Sequence, residues 1–365
     1  MTPPRPGHVF LTTDAIGGVW TYATDLADGL LARGVAVTLA VLGPVEPERL
    51  ARMRAKGLRV VDTGLPLDWL EGDPAALDAA GERLASLAAD SGADLIHLNS
   101  PALAAEARFH APLVGGCHSC LATWWDAVRG GPLPADFLWR TARLARGYAR
   151  CAALIAPSSA FAEATRARYG VRPTVVRNGR AAPATSRSAK EARVLTSGRL
   201  WDDGKNLAAL DAAALRMRGR VEAAGPLSGP HGQTVSVQGV EPLGPLGAEA
   251  MRERLEAAAV FASLALYEPF GLGVLEAAQA RCALVLSDIP TFRELWDGAA
   301  VFVDPDDADA VAETLDALLE DTARAEALGA AAAERARRYG LDAMVQGTLG
   351  AYASALATVQ REAAA

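Results

Sequence analysis

The chain has 365 residues, a formal net charge of -7 and a hydrophobic fraction of 51%. This length exceeds what one hydrophobic core usually supports, so we expect two globular domains. The negative charge argues against a general nucleic-acid binder. The first residues are polar and proline-rich, without the apolar segment of a signal peptide, and no apolar run reaches membrane-spanning length. The sequence therefore predicts a cytoplasmic protein.

The first half of the chain alternates short apolar runs with stretches of helical spacing. It begins with a strand at residues 9–13, followed by a turn at residues 14–18 and a helix at about residues 19–33. This β-α-β pattern predicts a doubly wound parallel sheet that extends to about residue 179. The predicted strands are residues 9–13, 35–42, 59–62, 95–98, 113–116 and 153–156.

A glycine pair, Gly17 and Gly18, follows the first predicted strand. Glycine lets the backbone approach a ligand closely, and open α/β sheets bind ligands at the carboxyl ends of their strands. The pair does not complete a Gly-x-Gly-x-x-Gly pattern, and no acid clearly ends the second strand. A dinucleotide site is therefore weakly supported.

Histidines and tryptophans follow strand ends in this half. His97 lies at the end of one predicted strand and His118 lies just beyond another. A lone histidine in such a place is more often a hydrogen-bonded structural residue than a ligand-binding one. Trp20 follows the glycine pair, and Trp124 and Trp125 follow His118. Such rings suit either stacking on an acceptor or ordinary core packing.

Cysteines and basic residues raise two further possibilities. Cys117 and Cys120 form a Cys-x-x-Cys pair, but a structural zinc site normally needs two such pairs, so we expect free thiols at all four cysteines. A basic stripe at helical spacing is usually a solvated face, although it also suits contact with an anionic lipid or a phosphorylated acceptor. The stripe consists of Arg140, Arg143, Arg146 and Arg150.

A domain boundary is predicted where the chain becomes small, polar and aperiodic, at residues 180–189. We place the first domain at residues 1–180, a linker at residues 181–192 and a second α/β domain at residues 193–340. The strands predicted in the second domain are residues 193–197, 220–224, 235–238, 259–266, 283–287 and 300–303.

Two cationic residues follow the first strand of the second domain. Gly198 ends that strand, Arg199 offers a planar fork for two phosphate oxygens, and Lys205 adds a compact charge before a helix. Gly225 follows the second strand of this domain. Acids at residues 202–203 and 304–306 superficially suggest a metal site. The first pair lies inside the Arg/Lys loop, and the second precedes a predicted helix, where acids act as caps.

Residues 268–276 read Glu-Pro-Phe-Gly-Leu-Gly-Val-Leu-Glu, between an apolar strand and a helix predicted at residues 274–281. The strand must break, turn and open a helix within a few residues, which leaves backbone N–H groups free to bind an anion. A carboxylate, Glu268 or Glu276, stands at each end and can accept hydrogen bonds from hydroxyls. A nucleotide sugar fits this combination. Taken singly, Glu268 is also typical of a loop-surface acid, and Glu276 is expected in the first turn of the helix, where a carboxylate is favourable for the helix dipole alone.

This string is similar to the Glu-x7-Glu motif of the retaining family 4 glycosyltransferases. The stretch from residue 198 to residue 207, with Gly-Arg-Leu and Lys-Asn-Leu, resembles the diphosphate clamp of the same family. The resemblance spans nearly the whole chain and is weakest at residues 44–95. It implies the GT-B fold, in which two Rossmann-like domains face a central cleft. It also implies that the last helix, within residues 341–365, crosses back to the first domain.

The resemblance implies roles for individual residues. Glu268 would bind the transferred sugar, Glu276 the ribose, and the segment ending at Leu246 the nucleobase, while His118 would hydrogen-bond the sugar. The residues predicted to be catalytic are His118, Arg199, Lys205 and Glu268. Those predicted to bind the donor are Gly17, Gly18, Gly198, Gly225, Leu246, Phe270, Gly271, Leu272 and Glu276. Those predicted on the acceptor side are Trp20, His97 and Trp124.

The predicted activity is a retaining glycosyl transfer from a UDP- or GDP-sugar, without metal or other cofactor. The acceptor, bound by the first domain, would be a glycan, a lipid-linked sugar or a small molecule. The alternatives are a sugar-nucleotide epimerase or a phosphorylase of the same architecture, or a non-catalytic nucleotide-binding relative. Peripheral membrane contact through the basic stripe is a further prediction.

Overall fold

The computed structural model describes residues 4–182, 189–230 and 232–364. The chain divides into two compact units. The first unit consists of Met1–Asp126, Gly130–Gly179 and Leu341–Ala365, and the second of Ala127–Arg129 and Arg180–Gly340.

The first unit is built on a parallel sheet flanked by helices. Its strands are β1 (His8–Asp14), β2 (Ala36–Leu42), β3 (Arg59–Asp62), β4 (Leu95–Leu98), β5 (Leu113–Gly116), β6 (Ala153–Ala156) and β7 (Thr174–Val175), in the order β3-β2-β1-β4-β5-β6-β7. Its helices before the boundary are α1 (Gly18–Leu31), α2 (Pro47–Ala55), α3 (Pro74–Ser91), α4 (Leu121–Val128), α5 (Ala135–Ala149) and α6 (Ser159–Tyr169).

The central strands of this sheet are buried on both faces, because helices cover each side. Val9, Phe10 and Leu11 of β1 are all fully buried, as expected for a parallel strand with a continuous apolar run. Since β1 pairs in parallel with β4, and β4 with β5, the carboxyl ends of these three strands lie side by side. This edge therefore brings together loops that are far apart in the sequence.

The second unit holds a second parallel sheet. Its strands are β8 (Glu191–Ser197), β9 (Arg220–Ala224), β10 (Glu241–Gly244), β11 (Ala258–Ser263), β12 (Ala283–Ser287) and β13 (Val301–Val303), in the order β10-β9-β8-β11-β12-β13. Its helices are α7 (Leu207–Ala214), α8 (Ala248–Ala257), α9 (Leu272–Gln279), α10 (Pro290–Trp296), α11 (Ala308–Glu320) and α12 (Thr322–Ala336). The doubly wound parallel architecture predicted for both halves is confirmed.

The last helix, α13 (Leu341–Ala364), belongs to the first unit. Val345 and Tyr352 are fully buried in the same apolar cluster as Val9. The helix lies close to α1 at Gly29, where a Cβ atom would stand 2.4 Å from Cγ2 of Val345. A glycine on α1 therefore allows the close approach of the two helices.

One predicted strand is wrong. Residues 235–238 form a loop, and the strand lies instead at β10. The Asp211 carboxylate accepts hydrogen bonds from the backbone N–H groups of Gln238, Gly239 and Val240, with Oδ1 between 2.8 and 3.0 Å from the three nitrogens. Within the predicted strand, the N–H of Gln238 is bound to Asp211 and that of Val235 to the Leu227 carbonyl at 3.0 Å, so neither is available to a strand ladder.

The predicted linker is described only in part. Residues 183–188 of the predicted linker lie outside the described residues, and β8 begins at Glu191, inside the predicted linker range.

Within the described ranges, none of the helices combines the length and the apolar character needed to cross a bilayer.

Candidate active site

The loop after β8 is tied to the loop after β11. Asp202 caps a short 3₁₀ turn, Asp203–Lys205, by accepting a hydrogen bond from the Gly204 N–H at 2.9 Å. The Gly204 carbonyl accepts hydrogen bonds from the N–H groups of Leu266 and Tyr267 at 3.0 and 3.2 Å. The two motifs that the sequence separates by some sixty residues are therefore held together through backbone bonds.

Lys205 and Glu268 form an ion pair across these joined loops. The Lys205 Nζ atom donates a hydrogen bond to Oε2 of Glu268, and the side chains are 22% and 15% exposed. The structure thus brings together the predicted cation of the first motif and the first glutamate of the second. The partial exposure leaves both groups within reach of a ligand.

Arg199 is held next to this pair through Asp202. One guanidinium nitrogen lies 3.2 Å from Oδ2 of Asp202, whose other oxygen caps the Gly204 turn. The guanidinium carbon also lies 5.9 Å from the centre of the Trp201 ring. The Arg199 side chain is 36% exposed, so a second cation stands in solvent contact on the Lys205 loop.

The helix α9 starts at a glycine without a side-chain cap among the described residues. Gly271 has a φ of 89°, a conformation that glycine adopts without strain, and a Cβ atom there would lie 3.3 Å from the Phe292 ring. Phe270 is buried and packs edge-on against Tyr339, with ring centres 5.7 Å apart. From Leu272 onward the first-turn N–H groups carry the positive end of the helix dipole, which favours an anion.

Glu276 lies in the second turn of α9 and is bound by Arg180. The Arg180 guanidinium donates a hydrogen bond to Oε1 of Glu276. The Arg180 carbonyl accepts a hydrogen bond from Nε2 of Gln279 at 3.3 Å, and its N–H donates to the Tyr339 carbonyl at 3.1 Å. Sequence reasoning assigned Arg180 to the domain boundary and missed this contact, because no spacing pattern links positions so far apart.

Two glycines face each other at the carboxyl ends of β8 and β9. Gly225 has a φ of 145°, and a Cβ atom there would lie 1.9 Å from the Gly198 carbonyl oxygen. The N–H of Gly198 donates to the Ala224 carbonyl at 3.1 Å, and the N–H of Gly225 donates to the Gly244 carbonyl at 2.9 Å. Leu246, beyond β10, packs partly buried on the apolar cluster under α9. Only glycine allows the loops at Gly198 and Gly225 to approach so closely.

The glycine pair of the first unit lies open at the end of β1. Gly17 and Gly18 are exposed, and Gly17 precedes α1 with a φ of 71°. Trp20 is 8% exposed, packs in the core, and has the Arg49 guanidinium carbon 4.6 Å from its ring centre. Core packing, the alternative reading of Trp20, is what the structure shows. Trp124 is partly buried in α4.

The two histidines have different surroundings. His118 is partly buried, with Nε2 2.8 Å from Oδ1 of Asn99 and its ring centre 4.5 Å from that of Tyr22. His97 is fully buried, with Nδ1 2.8 Å from the Tyr352 hydroxyl. The acceptor contact predicted for His97 does not hold, because the side chain has no exposed surface. Burial lowers the pKa of His118 to about 4 and that of His97 to about 3, so both are neutral at pH 7.

We expect acid to destabilise the first unit through His97. Its folded pKa of about 3 lies below the ordinary 6.5, so the unfolded chain takes up the proton first. The stabilisation is complete above pH 6.5 and is lost as the pH falls toward 3. Between pH 6.5 and 4 the free energy of unfolding should fall by on the order of 3 kcal/mol from this residue. Urea unfolding of wild type and His97→Gln at several pH values measures it, and equal pH slopes for the two proteins would contradict it.

The predicted basic stripe on α5 is not an open basic face. Arg143 is 2% exposed, and its guanidinium lies 2.6 Å from Oδ1 of Asp78 and 3.0 Å from the Ala102 carbonyl. Arg140 and Arg146 are also paired with acids of the first unit. The prediction is corrected at Arg143, which is buried because it ties α5 to α3.

The acids near residue 304 and the four cysteines are the remaining sequence features that could suggest a metal site. Asp307 caps α11 by accepting a hydrogen bond from the Ala310 N–H at 2.9 Å, as predicted. The four cysteines, all in the described part of the chain, form no disulfides, and their reduced state stays a prediction. In the ranges that the structure describes, no three histidine, cysteine or acidic residues are grouped to hold a metal ion.

Three solved structures share this fold over nearly the whole chain. Sucrose-phosphate synthase from Thermosynechococcus elongatus aligns with a TM-score of 0.78 at 19% identity, over 96% of this chain and 99% of its own. The Anabaena protein HepE in complex with UDP-glucose aligns with a TM-score of 0.75 at 18% identity, over 96% of this chain and 100% of its own. The α,α-trehalose 6-phosphate synthase of Burkholderia multivorans aligns with a TM-score of 0.68 at 13% identity, over 97% and 99%. The protein has the GT-B fold.

Family models match both units. The model described as Glycosyltransferase Family 4 matches residues 16–180, and the model described as Glycosyl transferases group 1 matches residues 238–335. Together they cover well over half of the chain, which belongs to the family 4 glycosyltransferases. No curated protein matches the sequence to a significant degree.

Proposed function

We propose that this glycosyltransferase is retaining and metal-independent, and that it transfers a sugar from a UDP- or GDP-sugar to an acceptor held by the first unit. The observation that carries the proposal is the ion pair between Lys205 and Glu268. It joins a cation suited to phosphate with a carboxylate suited to sugar hydroxyls. UDP is the first nucleotide to test, because the similar HepE was solved with UDP-glucose and with UDP.

The cations have a defined role in the proposed reaction. As the bond from the sugar to the diphosphate breaks, negative charge develops on the leaving oxygen. Lys205, Arg199 and the N–H groups at the start of α9 would stabilise that charge. Charged side chains and a helix dipole supply the electrostatic stabilisation that a divalent metal supplies in other enzymes. A donor site with these groups is therefore expected to work without a metal ion.

Donor binding would require Lys205 to change partners. The Lys205 ammonium would turn from Glu268 to a phosphate oxygen, and the Glu268 carboxylate would then accept hydrogen bonds from the sugar. Glu276 would bind the ribose hydroxyls in the same way, beside Arg180. The ion pairs seen in the structure hold both carboxylates against cations until a ligand takes over the contacts.

Retention follows from attack on the face that the diphosphate is leaving. The departing phosphate would take the proton of the acceptor hydroxyl, so the proposed scheme needs no pair of catalytic carboxylates of the glycosidase type. His118 would contribute from the first unit by hydrogen bonding to the transferred sugar.

The deciding experiment incubates the protein with UDP-, GDP- and ADP-sugars and measures release of nucleoside diphosphate, with and without EDTA. Release that EDTA does not affect supports the proposal. An epimerase would change the donor sugar without net release, a phosphorylase would require inorganic phosphate, and a non-catalytic relative would bind without turnover. NMR of the anomeric centre of the product distinguishes retention from inversion.

We expect Arg180→Met to raise the KM for the donor about three- to tenfold with little change in kcat. The substitution removes the guanidinium that orients Glu276, and a contact equally strong in ground and transition states appears in KM alone. Steady-state kinetics with varied donor measures this effect. Arg180→Lys, which keeps the charge, should have a smaller effect, and an unchanged KM in Arg180→Met would show that Arg180 does not support donor binding.

Membrane contact through Arg140, Arg143, Arg146 and Arg150 stays a prediction, as does the cytoplasmic location. The pairing of the first three with acids leaves less free positive charge for a lipid surface than the sequence suggested. Flotation with liposomes that contain anionic lipid tests the contact, and an absence of salt-sensitive binding would remove it.

A further inference from the structure

We propose that Asn99 is a positioning residue that fixes His118 as the Nε2–H tautomer and leaves Nδ1 as a hydrogen-bond acceptor. His118 would then bind a hydroxyl of the ligand by accepting its proton in a hydrogen bond, and would not donate one. The part of this inference that concerns a sugar hydroxyl rests on the proposed function. The tautomer itself follows from the contacts of three neighbouring strands.

The orientation of the Asn99 amide is set by β1. Asn99 directly follows β4, and its backbone N–H donates a hydrogen bond to Oγ1 of Thr12 at 2.8 Å. Its side-chain Nδ2 atom lies 2.6 Å from the Thr12 carbonyl oxygen. A carbonyl oxygen only accepts hydrogen bonds, so the amide nitrogen must face Thr12 and the amide oxygen must face away from it.

The amide oxygen in turn sets the tautomer of His118. Oδ1 of Asn99 lies 2.8 Å from Nε2 of His118. An amide oxygen has no hydrogen to donate, so Nε2 must carry the proton of this hydrogen bond. A neutral imidazole has one N–H, which leaves Nδ1 with a lone pair. Burial lowers the pKa of His118 to about 4 and so keeps the ring neutral.

The space around this hydrogen bond depends on a glycine at the end of β5. A Cβ atom on Gly116 would lie 2.7 Å from Nε2 of His118 and 2.8 Å from Oδ1 of Asn99. Real Cβ atoms do not approach other atoms so closely, so any larger residue would displace one of the two partners. Tyr22 packs against the imidazole from α1, with the rings inclined at 60°. Strand and helix together hold the pair in one arrangement.

The chemical consequence concerns the role open to His118. A neutral imidazole whose Nε2–H is already engaged offers only Nδ1 to a ligand. Nδ1 can orient a hydroxyl group or receive its proton, but it cannot protonate a leaving group. The ligand group that His118 selects is therefore a hydrogen-bond donor such as a hydroxyl.

The test reads the tautomer directly in the intact protein. Long-range ¹H–¹⁵N NMR of the ¹⁵N-labelled histidines at pH 7, with the signals assigned by His118→Gln, should show His118 protonated at Nε2 only. Asn99→Asp cannot donate to the Thr12 carbonyl and adds a negative charge. It should move the protonation midpoint of His118 upward from about 4 toward or above 6.5. Gly116→Ala keeps Asn99, but its methyl group would displace one partner of the Asn99–His118 hydrogen bond. His118 in this variant should therefore be a mixture of its two neutral tautomers.

Thr12→Val is the matched control. It removes Oγ1 but keeps the carbonyl that orients the amide, so the Nε2–H tautomer should persist. In the transferase assay, Asn99→Asp should lower kcat/KM by about 10- to 100-fold at pH 7 and add a new ionisation near neutral pH.

The outcomes separate this inference from the proposed function. Wild-type His118 that is protonated at Nδ1, or at both nitrogens, at pH 7 would overturn the inference whatever the activity. The same conclusion would follow if Asn99→Asp left the protonation midpoint of His118 near 4 and Gly116→Ala kept the wild-type tautomer. An Nε2–H tautomer in a protein that turns over none of the nucleotide sugars would support the inference while the proposed function fails.

Discussion

Lys205→Ala is expected to lower kcat/KM for the nucleotide sugar by about 10²- to 10³-fold, which corresponds to about 3–4 kcal/mol of transition-state stabilisation. The ammonium lies on a turn whose backbone is bonded to the loop that carries Glu268, and the two side chains form an ion pair. In the proposed reaction, the change removes a positioned cation close to the oxygen on which negative charge develops. It also removes the cation that offsets the Glu268 carboxylate, whose charge would then repel the phosphates of the donor more strongly.

Because the ion pair is partly buried, a folding defect must be separated from a catalytic one. Thermal unfolding should show that Lys205→Ala remains folded at the assay temperature. Lys56→Ala serves as the matched control, since it breaks an exposed ion pair with Asp28 in the first unit and should leave the rate unchanged. Arg199→Ala should also lower kcat/KM. Rates near wild type in both Lys205→Ala and Arg199→Ala would contradict the proposed stabilisation of the diphosphate.

Much of the fold could be predicted because parallel strands covered on both faces leave continuous apolar runs in the sequence. The bounds of β4, β9 and β12 agree with the predicted ones. The prediction failed at residues 235–238, where alternating Val, Ser, Val and Gln imitate a strand. The bonds from Asp211 to backbone N–H groups 27 to 29 residues away have no signature in the local pattern.

The true strand β10 was hidden by its composition. It contains Pro242 and ends at Gly244, two residues that usually argue against a strand. Proline is nevertheless tolerated at the edge of a sheet, and β10 is the edge strand next to β9. Only the sheet order, which depends on the whole unit, reveals that the missing N–H of Pro242 falls at such a position.

The sequence identifies candidate site residues where they belong to a motif. It does not reveal contacts between single residues that lie far apart in the chain. The spacing of Glu268 and Glu276, and of Arg199 and Lys205, is visible in the sequence. The contacts of Arg180 with Glu276 and of Asn99 with His118 join positions 96 and 19 residues apart. Arg180 and Asn99 lie outside the helices and strands, and no local sequence pattern distinguishes them from other polar loop residues.

Gly225→Ala is expected to lower the free energy of unfolding of the second unit by about 2–4 kcal/mol and to abolish transfer. Two effects combine. The φ of 145° is unfavourable for any residue with a Cβ atom, and that atom would lie 1.9 Å from the Gly198 carbonyl oxygen and 3.2 Å from Cγ of Leu200. The closest clash is with backbone, so no change of rotamer relieves it, and the loop that carries Arg199 must move.

Gly247→Ala provides the control, because its φ is -69° and no atom lies within 4 Å of the added Cβ position. It lies just beyond the same group of loops and should change stability by no more than about 1 kcal/mol. Urea unfolding followed by tryptophan fluorescence measures both variants. Wild-type stability in Gly225→Ala would mean that the Gly198 loop can shift away from the added Cβ atom without a cost in free energy. The donor-side loops would then not be held by the close contact of two glycines, and the position of Arg199 would need another explanation.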